Sequence, residues 1–261
     1  MTISKPPKPT RETFEFLSPD GNALRGHFSY LGTFSDPVVG YVHGFGGTRS
    51  GEKATALEQA AHRRGWTFVA FDFLGHGDSE GAMLHLRCDK LLSNLEGFRG
   101  HLAGRQVERV FLMGSSMGGW AVSWFSQRNP DFVRTCVLLA PAFYFPHTLW
   151  TRLSSEQREE WKRSGKLAYH NEWVDVELSY ELLESAAAFS LAELTARWET
   201  PTLVFHGMKD ELVPYADTVH LIEKIGYPNV ELRLLRDGDH RLTAHKEMIM
   251  EEACRFFSMH V

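Results

Sequence analysis

The sequence predicts an α/β protein, a mostly parallel sheet of about eight strands flanked by helices, and three observations lead to it. Short runs rich in β-branched and aromatic residues alternate with longer stretches of helical periodicity, the pattern of βαβ units. Most of those runs are apolar on both faces, as strands buried inside a parallel sheet are. One long segment breaks the alternation and reads as an insertion between two strands.

Taken in order, residues 1–12, MTISKPPKPTRE, are polar and proline-rich, so a loose tail is expected and no secretory leader is read there. Phe14–Leu17 and Leu24–Tyr30 are separated by Ser18, Pro19, Asp20, Gly21 and Asn22, turn formers that predict an antiparallel hairpin at one sheet edge. Val38–Val42, Thr67–Phe73, Val110–Met113, Cys136–Leu139, Thr202–Phe205 and Val230–Leu235 are the runs expected to be covered on both faces. Leu91, Leu95, Phe98 and Leu102 recur at helical spacing, as do Ile249, Ala253 and Phe256, and these stripes are core-facing.

Residues 143–197 contain no convincing strand but many charges and the aromatics Phe143, Tyr144, Phe145, Trp150, Trp161, Tyr169, Trp173 and Tyr180. They are expected to form a small helical cap on a core made of residues 13–142 and 198–261. The cap aromatics have two uses, lining an acyl pocket or forming the cap's own core. Phe143, Tyr144 and Trp150 are the candidates for substrate contact.

Composition narrows the function. In 261 residues, Lys+Arg of 28 against Asp+Glu of 33 gives a net charge of -5 with no basic stripe, which argues against nucleic acid as a partner. Cys88, Cys136 and Cys254 are widely spaced with no CxxC pair, and neither HExxH nor a similar His and carboxylate cluster occurs. No metal and no organic cofactor are expected. No apolar run reaches the roughly 18 residues that a transmembrane helix needs, and a soluble cytoplasmic protein is expected. The oligomeric state is open.

The chemistry is carried by Gly114-Ser115-Ser116-Met117-Gly118, which follows a strand and opens a helix. In this Gly-x-Ser-x-Gly turn the serine sits in a strained backbone, and glycines are needed where side chains would strike the neighbouring strand and helix. Only Ser116 has glycine at both flanking positions; Ser115 would have Met113 and Met117. A serine hydroxyl needs a base and a group that orients the base. Asp210 follows the strand Thr202–Phe205 and His240 follows Val230–Leu235, giving the order Ser, Asp, His at strand ends. Ser116 is the expected nucleophile, His240 the general base and Asp210 its orienting partner. The amides of Met117, at the helix start, and Phe45, in His43-Gly-Phe-Gly-Gly47, are the expected oxyanion donors. His43 and His76 are expected to hold loops by hydrogen bonds, and Glu211 is a weaker alternative to Asp210.

Together, His43-Gly44, Asp72 with Gly75-His76-Gly77, Ser79 and Gly81, Gly114–Gly119, His206-Gly207 with Asp210 and Val213-Pro214, and Asp239-His240 resemble the α/β-hydrolase superfamily. The likeness covers roughly residues 12–258 and is nearest the monoacylglycerol-lipase-like and acyl-thioesterase-like branches. It implies the α/β-hydrolase fold and hydrolysis of an ester or thioester through an acyl-enzyme, with the cap shaping the acyl pocket. Two departures stand out: Ser115 occupies a position where these lipases often carry histidine, and the insertion after Ala140-Pro141 matches no particular cap. A carboxylesterase acting on a small-molecule ester of short to medium acyl chain is the leading expectation. An acyl thioesterase, a monoacylglycerol hydrolase, and a binding protein that keeps the pocket are the alternatives.

Overall fold

A computed structural model describes residues 8–171 and 174–261. The chain runs β1 (Thr10–Leu17), β2 (Ala23–Tyr30), β3 (Val38–Val42), α1 (Glu52–His62), β4 (Thr67–Phe71), α2 (Cys88–Gly104), β5 (Val110–Ser115), α3 (Met117–Arg128) and β6 (Val133–Leu139). After β6 come α4 (His147–Thr151), α5 (Ser155–Ser164), β7 (Lys166–His170), β8 (Asp175–Ser179), α6 (Glu181–Ala186) and α7 (Leu191–Arg197). The chain then returns through β9 (Thr202–Gly207), α8 (Tyr215–Ile222), β10 (Val230–Leu235) and α9 (Lys246–Ser258).

The sheet has eight strands in the order β1-β2-β4-β3-β5-β6-β9-β10, antiparallel from β1 to β4 and parallel from β4 onward. This is the α/β-hydrolase fold. Helices cover both faces because β3, β4, β5 and β9 are buried along their whole length and leave no face for solvent. On one side Leu57 and Ala60 of α1 and Ile249, Ala253 and Phe257 of α9 close a core over Val39, Phe68 and Phe111. On the other, the α2 stripe Leu91, Leu95, Phe98 and Leu102 joins Trp120 and Trp124 of α3 over Leu112 and Leu138. Cys88, Cys136 and Cys254 are free and buried. Among the described residues, no helix is long and apolar enough to cross a membrane.

Several expectations are corrected. Val230–Leu235 is the outermost strand, paired only with β9, and is half-buried instead of covered on both faces. β1 begins at Thr10 and includes residues expected in the loose tail, because Thr10, Arg11 and Glu12 pair in register with Tyr30, Ser29 and Phe28. Residues 1–7, like Trp173, lie outside the described residues. The insertion is not purely helical: β7 and β8 form an antiparallel hairpin in which Leu167 opposes Leu178. The signal was a period-two alternation, Leu167 and Tyr169 against Val176 and Leu178, short enough to be masked by the surrounding charges. Trp161 stands under it, donating its indole N–H to the Leu178 carbonyl at 3.2 Å.

The strand-to-helix turn at β5–α3 is held by close backbone approach. A Cβ on Gly118 would lie inside van der Waals contact with the carbonyl oxygens of Val42 and His43, and one on Gly114 would stand 2.5 Å from the Gly118 carbonyl oxygen. Neither neighbour is a flexible side-chain end. Gly118→Ala is therefore expected to lower stability by about 3 kcal/mol or more, at the upper end of overpacking effects. That corresponds to a drop of roughly 6–12 °C in melting temperature for a domain of this size. Gly100→Ala, on the exposed face of α2 with open space around it, should raise the melting temperature slightly. A melting temperature for Gly118→Ala equal to that of Gly100→Ala would contradict the close-approach account.

Candidate active site

Three loops at the carboxyl ends of the parallel strands converge. Ser116, between β5 and α3, has φ 55° and ψ -115°, a left-handed backbone that side-chain-bearing residues rarely adopt. The turn thus lifts its hydroxyl above the sheet edge. His240, on the loop after β10, reaches Ser116 Oγ with Nε2 at 3.0 Å and Asp210 Oδ2 with Nδ1 at 2.7 Å. The hydrogen-bond network gives one consistent assignment: Nδ1–H donates to the carboxylate and Nε2 accepts from the serine hydroxyl. The structure therefore brings Ser116, Asp210 and His240 into one chain of contacts, while Glu211 is exposed.

Asp210 has a buried side chain and a full set of donors. Oδ1 accepts from the Leu212 and Val213 amides at 2.9 and 2.8 Å, and Oδ2 accepts from His240 and from His206 Nε2 at 3.1 Å. Desolvation pushes its pKa up, but hydrogen bonds from His206 and His240 outweigh it and hold the carboxyl well below the usual carboxylate range. His206 is a residue that motif reading left without a role beyond the family pattern. Its Nε2 also meets the Val213 carbonyl at 3.0 Å, so Nε2 carries the proton, and its Nδ1 lies 2.9 Å from Thr218 Oγ1, whose hydroxyl donates to it. A buried imidazole thus fixes the carboxylate from behind.

His43 and His76 serve the loops. His43 Nε2 accepts from the Phe73 amide at 3.0 Å and its Nδ1–H donates to the Gly44 carbonyl at 2.8 Å. Burial pushes the His43 pKa down to about 4; burial and the neighbouring His43 push His76 down to about 3. Neither is charged near neutral pH. The His43 loop packs on the nucleophile, since a Cβ on Gly44 would stand 2.9 Å from the Ser115 carbonyl oxygen and 3.2 Å from Ser116 Cβ. Among the described residues neither the Phe45 nor the Met117 amide donates to another backbone group. Asp239 Oδ1 accepts from the Leu242 amide at 2.7 Å and shapes the histidine loop.

Above these groups lies a cavity of about 300 Å³ whose wall includes Gly44, Phe45, Ser116 and His240. Phe143, Tyr144 and Trp150 do not line it, which corrects the choice of substrate contacts. Phe143 is buried against Trp198, and Trp150 joins Trp161 and Tyr180 in the cap's own core. The described residues that face the cavity from this stretch are Ala142 and Phe145 before α4, Thr148 and Leu149 on it and Arg152 after it, with Tyr169, Asn171 and Val174 from the β7–β8 hairpin. The turn that precedes α4 decides which of the adjacent aromatics points inward, and motif reading had no anchor for that turn. Lys53 is a second residue missed. It lines the same cavity and donates from Nζ to Ser115 Oγ at 2.9 Å.

Comparison with known proteins agrees with the fold. The profile of the serine aminopeptidase S33 family of hydrolases matches residues 35–173 and 151–247. A mitochondrial palmitoyl-protein thioesterase, ABHD10, from Rattus norvegicus is 26% identical over 211 residues, covering 79% of this chain and 70% of that protein. Among solved structures, a putative hydrolase from Agrobacterium vitis S4 superposes with a TM-score of 0.83 at 25% identity, covering 95% of this chain and 99% of that one. Est1E from Butyrivibrio proteoclasticus, solved with ferulic acid bound, superposes with a TM-score of 0.81 at 21% identity over 94% of this chain and 98% of its own.

Proposed function

The chain belongs to the serine aminopeptidase S33 family of hydrolases, and from that premise we propose that it cleaves a carboxylic ester or thioester through an acyl-enzyme on Ser116. The observation that carries this reading is the unbroken series Ser116 Oγ, His240 Nε2, His240 Nδ1, Asp210 Oδ2, with separations of 3.0 and 2.7 Å. His240 takes the hydroxyl proton as Oγ attacks the carbonyl carbon, and the Phe45 and Met117 amides receive the developing oxyanion. The imidazolium then protonates the leaving oxygen or sulfur. A water molecule, deprotonated by the same imidazole, attacks the acyl-enzyme, and the acid departs as Oγ regains its proton.

Peptide cleavage from an amino terminus fits the cavity less well. An α-ammonium group needs an anionic partner, and the one carboxylate among the described lining residues, Glu52, is paired with Lys246 at 2.5 Å. The apolar side, Phe145, Leu149, Tyr169, Val174, Leu212 and Val213, suits an acyl chain. A cavity of about 300 Å³ stands at the small end of ligand pockets, which favours short to medium chains. The thioesterase relative keeps a thiol leaving group in play, since the acyl-enzyme chemistry is common to both.

Treatment with a fluorophosphonate followed by intact-mass measurement is expected to add one phosphonyl group, mapped to Ser116. Folded protein that gains no mass would reject the reading in favour of a binding protein. Matched 4-nitrophenyl esters from acetate to palmitate, set beside thioesters of the same acyl groups, are expected to give a maximum at short to medium length. A steady rise in kcat/KM out to palmitate would overturn the chain-length assignment.

A further inference from the structure

Among the described residues, the polar lining of the cavity carries Lys53, Arg152 and Arg241 against one carboxylate, Glu52, and the reading of Ser116 as an ester-cleaving nucleophile does not use these cations. Lys53, at the start of α1, projects to the base of the elbow, where its one hydrogen bond to a described protein group goes to Ser115 Oγ. An ammonium group has three donors. The other two therefore have no protein acceptor among the described residues, and no carboxylate lies within 4.0 Å of Nζ. Ser115 is itself buried and uncharged, so it is a fixed neutral anchor, not a counter-ion. Arg152 at the rim donates to the Glu211 and Leu212 carbonyls at 2.5 and 3.2 Å, which places a second positive charge on the lining without a carboxylate partner among the described residues. Arg241 also lines the cavity. Glu52, the lining carboxylate, is drawn to Lys246 on the outer side.

Lys53 is half-buried and lines the cavity, so whatever fills the cavity, water or substrate, must satisfy the donors that Ser115 leaves over. The apolar cap-side wall takes hydrocarbon; the Lys53 side takes negative charge. Building on the ester-hydrolase reading, we infer that the substrate carries a carboxylate close to its scissile bond, and that Lys53 is the residue that selects it. Protonation agrees with this geometry: burial, and then the nearby Arg241, push the Lys53 pKa down to about 8, against the opposing pull of Asp239, Glu52 and Asp210. The ammonium is present below that pH and lost as pH rises through it. A bound carboxylate would restore the missing partner.

The test compares two pairs of chromogenic esters. One pair is 4-nitrophenyl pentanoate and the 4-nitrophenyl monoester of glutaric acid, with the carboxylate on the acyl side. The other is 4-nitrophenyl butyrate and 3-butyryloxy-4-nitrobenzoate, with the carboxylate on the leaving group. The readout is the ratio of kcat/KM, anionic over neutral, in which changes common to both substrates cancel. In the wild-type protein the ratio should exceed one in at least one pair. In Lys53→Met it should fall about tenfold or more, the scale of one lost charge-assisted hydrogen bond, mostly through KM. Lys53→Arg should retain part of it.

Between pH 7 and pH 9 the wild-type ratio should fall about five- to tenfold, because kcat/KM follows the free protein's ionisation, and Lys53→Met should abolish that dependence. A role for Lys53 confined to propping the elbow would lower both members of a pair equally and leave the ratio and its pH profile unmoved, which overturns the inference. If the protein accepts the fluorophosphonate and cleaves the neutral esters but its ratio ignores Lys53, this inference alone falls. If it neither labels nor cleaves any ester, the hydrolase reading falls and takes this one with it.

Discussion

Ser116→Ala is expected to lower kcat/KM for a 4-nitrophenyl ester by about 10⁴-fold or more, roughly 5 kcal/mol of transition-state stabilisation. The size follows from what the hydroxyl does in the proposed reaction. It supplies the attacking oxygen, its proton is what His240 takes at 3.0 Å, and no other described hydroxyl touches that imidazole. Ser115 is not a replacement, since its Oγ is engaged with Lys53 below the turn. The strained φ of 55° is a property of the turn and its glycines, so alanine inherits the same backbone and the melting temperature should stay within a few degrees. Because serine and histidine act as one unit, Ser116→Ala combined with His240→Ala should be hardly worse than either alone. Residual kcat/KM within tenfold of wild type, or a double variant with multiplied losses, would reject the assignment.

Asp210→Asn should lower kcat/KM by about 10³–10⁴-fold, through the histidine and not through the fold. The carboxylate accepts four hydrogen bonds, from the Leu212 and Val213 amides on one oxygen and from His206 and His240 on the other. Asparagine can keep the first pair with its carbonyl oxygen. Its amide nitrogen then faces two N–H donors, so His240 is driven to the tautomer protonated on Nε2, the nitrogen that must accept the serine proton. Turnover and fluorophosphonate labelling should slow together. A loss under tenfold would show that the carboxylate is not needed to set the imidazole.

Much of this was readable along the chain. Strands buried on both faces announce themselves as apolar runs, and the elbow does so because Gly114 and Gly118 are demanded by backbone collisions that any residue with a Cβ would suffer. The β7–β8 hairpin was harder, since its apolar faces are only Leu167 and Tyr169 with Val176 and Leu178, and one cap helix holds their packing partner Trp161. The substrate-facing residues were misassigned for a similar reason. Phe143, Tyr144, Phe145 and Trp150 are chemically alike, and only the turn of chain after Ala142 decides that Phe145 faces the cavity while Phe143 turns to Trp198.

By itself the sequence determined the α/β order of elements, the hairpin at the sheet edge, and the three residues whose types and spacing at strand ends suit a nucleophile, a base and its carboxylate. These are local signals, written in turns and periodicity. Tertiary structure alone decided that His206 backs Asp210, that Lys53 comes to Ser115 from 62 residues away, and which cap side chains enclose the cavity. Those contacts arise from packing between elements distant along the chain, where a small rotation of a helix exchanges one face for another.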